Sequence, residues 1–181
     1  MPLVTYEQAR PWAKAIRDEV LARRMPKWHA ARGYGEFAND PSLSLFEVAL
    51  IAAWAEGGAP KTLPRAGGVA STSIPQLPAR PTVPSQGPTR EITLPCGDQP
   101  LTGRLVAIRP MLTKGSDALI EARPAGKGRE IVAWIRGFDP DFTTSYQLRT
   151  PIDLPAGSHL RVEPRESCSI VVTVARQTPS P

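Results

Sequence analysis

The stretch REIVAWIRGFDPDFTTSYQLRT, residues 129–150, holds two runs of β-branched and aromatic residues around a polar crossover. Runs of this composition favour β-strands. The same pattern recurs on both sides, in REITL, TGRLVAIRP, ALIEARP, HLRVEP and SIVVTVAR, with AGKG and LPAGS as turns. About seven short strands within residues 90–176 predict an antiparallel β-sandwich.

Residues 1–58 show helical spacing instead of the alternation of strands. Trp12, Ile16 and Val20 repeat at intervals of four, as on one face of an amphipathic helix. Pro26 should stop this helix, because proline cannot continue the backbone hydrogen bonding. Upstream, Thr5 and the glutamine three residues later have the spacing of a capping box.

A second helix is predicted after Ser44. Ser44 and Glu47 form another capping box, Val48 begins an apolar stripe, and the pair Gly57-Gly58 provides an ending. Two helices of this length bury little apolar surface, so we expect this zone to be part of a small helical domain that folds poorly alone.

The connecting and terminal segments have the composition of unstructured chain. Residues 59–89 contain seven prolines and no apolar periodicity, so we expect an extended linker there. Residues 177–181 are expected to be a disordered tail. The predicted fold class is therefore α+β in separate zones: a helical segment at 1–58, the Pro-rich linker, and an antiparallel β-sandwich at 90–176.

Most of the formal net charge of +5 lies in the predicted linker, and no dense basic face is expected. Residues 59–89 carry three basic residues and no acidic one, whereas residues 1–58 are balanced. Nucleic-acid binding needs clustered basic side chains, so it is not expected. No apolar run reaches the length of a membrane span, and the N-terminus lacks the pattern of a secretory signal. A true start at Met1 therefore predicts a cytoplasmic protein.

The sequence contains two cysteines, Cys96 and Cys168, which flank the predicted sandwich. Two cysteines and two distant histidines do not provide zinc spacing. In an oxidising compartment the pair could form a disulfide between the first and last strands. The alternative is two small buried thiols, and sequence alone leaves both open because it does not give the Cα separation.

Four segments of the N-terminal zone carry a resemblance to a known family: TYEQARPWAKAI, RRMPKWHA, GYGEFANDPSLS and IAAWAEGGAP. In this order they resemble the C-terminal two thirds of a class I cytochrome c-like domain of multidomain bacterial envelope proteins. The resemblance implies that Met25 occupies the distal haem-ligand position, where a thioether raises the reduction potential. It also implies that Trp12, Trp28 and Trp54 pack around the haem.

The chain departs from this family at the haem attachment site, because it contains no C-x-x-C-H motif. We therefore expect no covalent haem in the chain as given, and haem c only in a longer parent that begins upstream of Met1. On local pattern alone, Met25 is also typical of a flexible core residue, and His29 of a loop surface. The resemblance places the parent in the periplasm or cell envelope, with an unknown redox or envelope protein as partner.

The β zone carries a second resemblance, on LVAIRPMLTKGS and EIVAWIRGFDPDFTTSYQLRTPIDLPAGSHLRVEP. These segments resemble the C-terminal domain of copper type II ascorbate-dependent monooxygenases. A copper centre of that type needs several imidazoles with a thioether. This zone offers only His159 and Met111, so no metal site is expected.

No catalytic constellation is expected either. Ser158, His159 and Asp153 are close in sequence, but no nucleophile-elbow motif accompanies them. Asp139 and Asp141 in the segment DPD are more typical of a turn than of acid–base catalysis.

The sequence thus predicts a non-enzymatic, incomplete cytochrome c-like protein whose parent transfers electrons through a haem. The alternative is a binding module, in which the sandwich engages a protein or glycan partner. Phe138, Phe142 and Tyr146 mark the loop GFDPDFTTSY as the candidate binding loop, and edge packing is the other explanation of these rings.

Overall fold

The computed structural model describes residues 3–61, 87–163 and 168–175. Most of the predicted linker and the whole predicted tail at 177–181 lie outside the described residues. Contacts divide the described chain into two units. The helical unit contains residues 3–28 and 41–61, and the β unit contains residues 29–40, 87–163 and 168–175.

The described part of the helical unit has three α-helices: α1 (Tyr6–Ala9), α2 (Ala13–Leu21) and α3 (Leu45–Glu56). A 3-10 turn, Arg10–Trp12, separates the first two, because Pro11 lacks the N–H that a continuous α-helix would use. Both predicted capping boxes are present, at Thr5 and at Ser44. α3 ends at Gly57, as the sequence predicted.

Helices α2 and α3 pack around a small core. Ala13 and Val20 on α2 and Val48 on α3 are buried. The chain after α3 returns to α1, where Tyr6 Oη donates a hydrogen bond to Ala59 O at 2.8 Å. None of the helices in the described residues is long and apolar enough to cross a membrane.

Eight strands form the described part of the β unit. They are β1 (Thr89–Pro95), β2 (Gly97–Pro100), β3 (Gly103–Met111), β4 (Ala118–Arg123), β5 (Glu130–Ile135), β6 (Tyr146–Leu154), β7 (His159–Glu163) and β8 (Ser169–Ala175). One sheet has the order β1-β8-β3-β6, the other has the order β2-β7-β4-β5, and all pairings are antiparallel. The α+β class with an antiparallel β-sandwich is therefore confirmed.

Alternation of side chains builds the sandwich core. On β4, Ile120 and Ala122 are fully buried, whereas Leu119 is partly exposed. Each of the seven predicted runs forms a strand. β2 was not predicted, because GDQP has no β-branched residue, and it is a strand only through its pairing with β7.

At one side of the sandwich the chain passes directly from one sheet to the other. β1 is an edge of one sheet, β2 is an edge of the other, and Cys96 is the single residue between them. A disulfide joins Cys96 to Cys168, with Cα atoms 5.5 Å apart, just before β8. Of the two alternatives left open by the sequence, the structure contains the disulfide.

The two remaining edge strands, β5 and β6, are covered by residues 29–40, which we call the edge strap. Ala30 forms a β-bridge with Ile135 on β5, and Phe37 forms one with Leu148 on β6. The sequence predicts residues 29–40 to be part of the helical zone at 1–58. This segment belongs to the β unit instead, because its backbone groups pair with strand edges that have no other neighbour in their sheets.

Candidate functional site

Met25 lies four residues after the end of α2 at Leu21. The chain leaves the helix through Arg23, which has a left-handed φ of 58°, and Arg24 N then donates to Glu19 O at 2.9 Å. The Met25–Pro26 peptide bond is cis. Met25 is 42% exposed, so it does not act as a buried core residue.

A hydrogen bond brings the residues before Met25 to the start of α3. Arg23 Nη1 donates to Leu43 O at 3.1 Å. Leu45 and Phe46, the first two residues of α3, are 77% and 72% exposed. Arg23, two residues before Met25, is therefore held near the exposed apolar residues at the start of α3.

The described residues of the helical unit, 3–28 and 41–61, leave a large apolar surface exposed. Ten of the twelve residues of α3 are apolar, yet other described residues bury only Val48. The large apolar side chains that stay exposed in this unit are Leu3, Val4, Trp12, Leu21, Met25, Leu45, Phe46 and Leu50. A helix that is apolar on all sides is normally buried, and a large exposed apolar surface normally marks a binding site.

The three tryptophans predicted to pack around a haem have different environments. Trp12, in the 3-10 turn, is half exposed, whereas Trp28 and Trp54 are partly buried. Trp54 Nε1 donates to Pro60 O at 3.0 Å, which holds the indole against the chain that follows α3. Trp12 is the most accessible of the three.

A haem c is held by two cysteine thioethers, a proximal histidine and a distal ligand, and Met25 is the residue of this chain predicted for the distal position. Met25 would supply an axial thioether sulfur. The attachment groups do not fit, because the sequence has no C-x-x-C-H motif and both cysteines form the disulfide. His29 is buried in the edge strap, and His159 Nδ1 lies 3.2 Å from Asp98 Oδ1 on the neighbouring strand. The residues present thus do not provide the covalent attachment of a haem c.

The structure does not bring together the residues considered for copper binding, and the serine considered for hydrolysis has hydrogen-bond partners in a turn. His159 begins β7 and Met111 ends β3, in different sheets. Ser158 Oγ donates to Pro155 O at 2.7 Å and accepts from Ala125 N at 2.9 Å, so it stabilises a turn. Within the described ranges, no three His, Cys, Asp or Glu residues are grouped to hold a metal ion.

The carboxylates of the DPD segment and Asp153 form caps and ion pairs. Asp139 Oδ1 accepts from Asp141 N at 3.2 Å and caps a short 3-10 turn. The Lys114 ammonium lies 3.3 Å from Asp141 and 3.5 Å from Asp139, and these contacts, led by the hydrogen bond to Asp141, raise the pKa of Lys114. Asp153 lies 3.8 Å from Arg104 across β3 and β6.

Two of the three aromatics of the candidate binding loop lie in the core. Phe138 is 2% exposed and Tyr146 is fully buried, whereas Phe142 is 44% exposed. The ring of Phe37, in the edge strap, lies 5.4 Å from the ring of Tyr146. Packing against the edge strap and core therefore removes Phe138 and Tyr146 from the predicted binding loop, and Phe142 alone of the three has an exposed side chain.

The edge strap is held first on β5. Ala31 N donates to Trp134 O at 2.7 Å, and Arg136 N donates to His29 O at 2.8 Å. The Tyr34 ring meets the Trp134 ring edge-on, with centroids 4.8 Å apart. These contacts hold the beginning of the edge strap beside β5 through an isolated β-bridge.

The end of the edge strap is held on β6. Ala38 N donates to Gln147 O at 2.8 Å, and the Asn39 side chain forms two further hydrogen bonds with the β6 backbone and the residue before it. The sequence did not predict this role. The one local sign was the segment GYGEFAND, whose two glycines and asparagine are typical of irregular chain and are not directly followed by a helix.

Comparisons with known proteins do not assign the chain to a family. No protein-family model matches it, and no curated protein is similar to it.

Proposed function

We propose that the helical unit is the distal-ligand part of a cytochrome c-like electron-transfer domain in a bacterial cell envelope. In this proposal the chain is not an enzyme, and Met25 binds the iron of a haem c that is covalently attached to a different segment. The observation that carries the proposal is that Met25 is exposed in a unit where seven other large apolar side chains of the described residues are exposed too.

The chemistry of a haem suits this surface. A haem is a large, mostly apolar ring, and burying it against Leu, Phe and Trp side chains would be favoured by the hydrophobic effect. The thioether of Met25 would supply an axial ligand of the kind found in electron-transfer cytochromes. The four segments that resemble the cytochrome c-like family include both Met25 and α3.

The β unit supports an envelope location. Its disulfide joins the only two cysteines of the sequence. Structural disulfides persist in oxidising compartments such as the bacterial periplasm and are rare in the cytosol. A periplasmic redox protein is therefore the partner class that this proposal implies.

The test supplies the C-x-x-C-H motif and its attached haem on a separate molecule. A short peptide that carries haem c on its own C-x-x-C-H motif is titrated into the full chain. The expected result is the far-red absorption band of sulfur bound to ferric iron, together with a higher reduction potential of the peptide haem. Met25→Leu keeps an apolar side chain of similar size but removes the sulfur, so both signals should disappear.

Met111→Leu is the matched control, because Met111 is 46% exposed and Met25 is 42% exposed. The control should bind the haem peptide like the wild type. A wild-type protein without the thioether band, or a band that persists in Met25→Leu, would exclude Met25 as the ligand.

A further inference from the structure

A groove opens on the side of the β-sandwich beside the edge strap. It has a volume of about 400 Å³ and is lined by Gly33, Gly35 and Glu36 of the edge strap, by the first half of β5 and by the middle of β6. This volume lies in the range of ligand sites, which is roughly 300–1,000 Å³. All of these lining residues belong to the β unit.

The edge strap forms one wall of this groove and is fixed to both strands. Glu36 O accepts a hydrogen bond from Arg149 N on β6 at 2.9 Å. On β5, the backbone of Gly35 lies so close that a Cβ atom there would overlap Val132 O. This wall is therefore held by close backbone contacts.

A second wall is apolar. Val132 on β5 and both Leu148 and Ile152 on β6 line the groove, and each is less than one tenth exposed. These three side chains are also part of the sandwich core, so close packing holds them in place. The groove thus offers a fixed apolar surface on which an alkyl chain can pack.

Two polar residues of the groove occupy core-facing positions of the strands. Thr150 lies between Leu148 and Ile152 in the alternating row of β6 that faces the core, yet it is exposed. Glu130, also exposed, pairs in register with the fully buried Ala122, and directly paired residues share one face of a sheet. A polar residue at a core-facing position normally weakens a fold unless it has a function.

The charge of the groove is negative. Its lining contains Glu36 and Glu130 and, among the described residues, no basic side chain. Glu36 already has a cation, because Arg149 Nη1 lies 3.5 Å from its carboxylate. Arg129, next to Glu130 in the chain, pairs with Glu121 instead. Glu130 therefore forms no ion pair within the described part of the chain.

We propose that this groove binds a basic side chain, such as lysine, from an extended segment of a protein partner. The aliphatic stem packs on Val132, Leu148 and Ile152, as long basic side chains do on apolar surfaces. The ammonium group then meets the carboxylate of Glu130 and donates a hydrogen bond to Thr150 Oγ1. This proposal does not depend on a haem or on the helical unit.

A side chain of a larger partner suits the groove better than a small free amine. Glu130 and Thr150 are exposed, so the groove is open to solvent where the charge would bind. Sites for small ligands usually enclose most of the ligand surface. A partner segment supplies further contacts outside the groove, which a free amine lacks.

The experiment titrates two blocked peptides into the full chain. Both have valine on each side of a central residue, which is lysine in one and norleucine in the other, so that only the ammonium group differs. Amide chemical shifts of Gly33, Thr150 and Ile152 report binding in the groove. The lysine peptide should bind about fivefold or more tightly than the norleucine peptide, because its charge meets Glu130. A wild type that binds neither peptide, or both equally, would overturn the proposal.

Glu130→Gln keeps the size of the side chain and removes its charge. It should lower the affinity for the lysine peptide to that for the norleucine peptide. Glu91→Gln is the matched control, because Glu91 is an exposed glutamate on β1, at the opposite edge of the sheet that ends with β6. The control should change the affinity by less than about twofold. Equal losses in both variants would assign the effect to net charge and overturn the role of the groove.

Thr150→Lys places a basic stem in the groove from the chain itself. This variant should bind the lysine peptide at least about tenfold more weakly, while an unchanged urea midpoint shows that it still folds. Unchanged affinity in this folded variant would place the peptide elsewhere. Butylamine serves as the free amine, and it should bind much more weakly than the lysine peptide. Equal affinity for butylamine would overturn the assignment to a protein partner.

Discussion

The side-chain amide of Asn39 takes the place of a neighbouring strand for Gln147 on β6. Asn39 Oδ1 accepts from Gln147 N at 3.0 Å, and Asn39 Nδ2 donates to Ser145 O at 2.7 Å. An asparagine side chain carries the same donor and acceptor as a peptide group. It therefore continues the backbone pairing of the edge strap where the strap itself ends.

Asn39→Ala should destabilise the β unit. The substitution leaves the partly buried Gln147 N–H on β6 and the Ser145 C=O just before β6 without these partners, which costs about 1–3 kcal/mol. Urea unfolding would measure the loss. Gln147→Ala is the matched control, because it removes a side chain but keeps the backbone N–H that Asn39 accepts from. Equal losses in the two variants would show that the Asn39 amide has no special role.

The disulfide should contribute more stability than any single hydrogen bond. Cys96 and Cys168 are 72 residues apart, and closing a loop of that length removes about 4 kcal/mol of chain entropy from the unfolded state. The double variant Cys96→Ala with Cys168→Ala should lose about this amount in urea unfolding. Adding a reductant should destabilise the wild type and leave the double variant unchanged. A reductant effect on the double variant would assign the loss to something else.

Tyr146 should make the β unit sensitive to alkali. Burial raises the pKa of Tyr146 from 10.0 to about 12. Below pH 10 the phenol is protonated in both the folded and the unfolded chain. Between pH 10 and 12 the unfolded chain loses this proton first, so the free energy of unfolding falls as the pH rises.

Tyr146→Phe keeps the ring beside Phe37 and removes the titrating hydroxyl. The fall in unfolding free energy between pH 10 and 12 should therefore be smaller in this variant than in the wild type. Urea midpoints at pH 8, 10 and 11 would measure the difference. Parallel curves for the two proteins would contradict the assignment.

Glu121 is a buried carboxylate with two arginine partners. Its side chain is 5% exposed, and it lies 3.1 Å from Arg129 and 3.6 Å from Arg123. Removing one arginine leaves the other, so Arg129→Ala should cost at most about 1 kcal/mol, as for a largely exposed pair. Removing both leaves a buried charge unpaired and should cost about 3 kcal/mol or more. Additive losses from the two single variants would argue against a shared carboxylate.

The local signals of this sequence predicted the strands and caps well. The runs TGRLVAIRP and SIVVTVAR became β3 and β8, and both capping boxes formed. β2 was missed because GDQP becomes a strand only through tertiary pairing with β7. Propensity describes a segment alone, whereas pairing depends on residues distant in the chain.

The edge strap could not be predicted for the same reason. HAARGYGEFAND has neither alternation nor helical spacing, and Asn39 meets its partners more than a hundred residues later. The position of Met25 came from resemblance to a family, but its exposure depends on which residues cover the helical unit. Apolar residues lie on all sides of α3, so its sequence did not predict which face would be exposed to solvent.

The measurement that tests the central claim most directly is the absorption spectrum of the protein purified from its own cells, recorded with its intact mass. We predict an intact mass above the 19.6 kDa of this chain, because a different segment carries the covalently attached haem c, with a Soret band that survives denaturation and a far-red thioether band that Met25→Leu abolishes. A colourless protein with the 19.6 kDa mass of this chain would contradict an electron-transfer role.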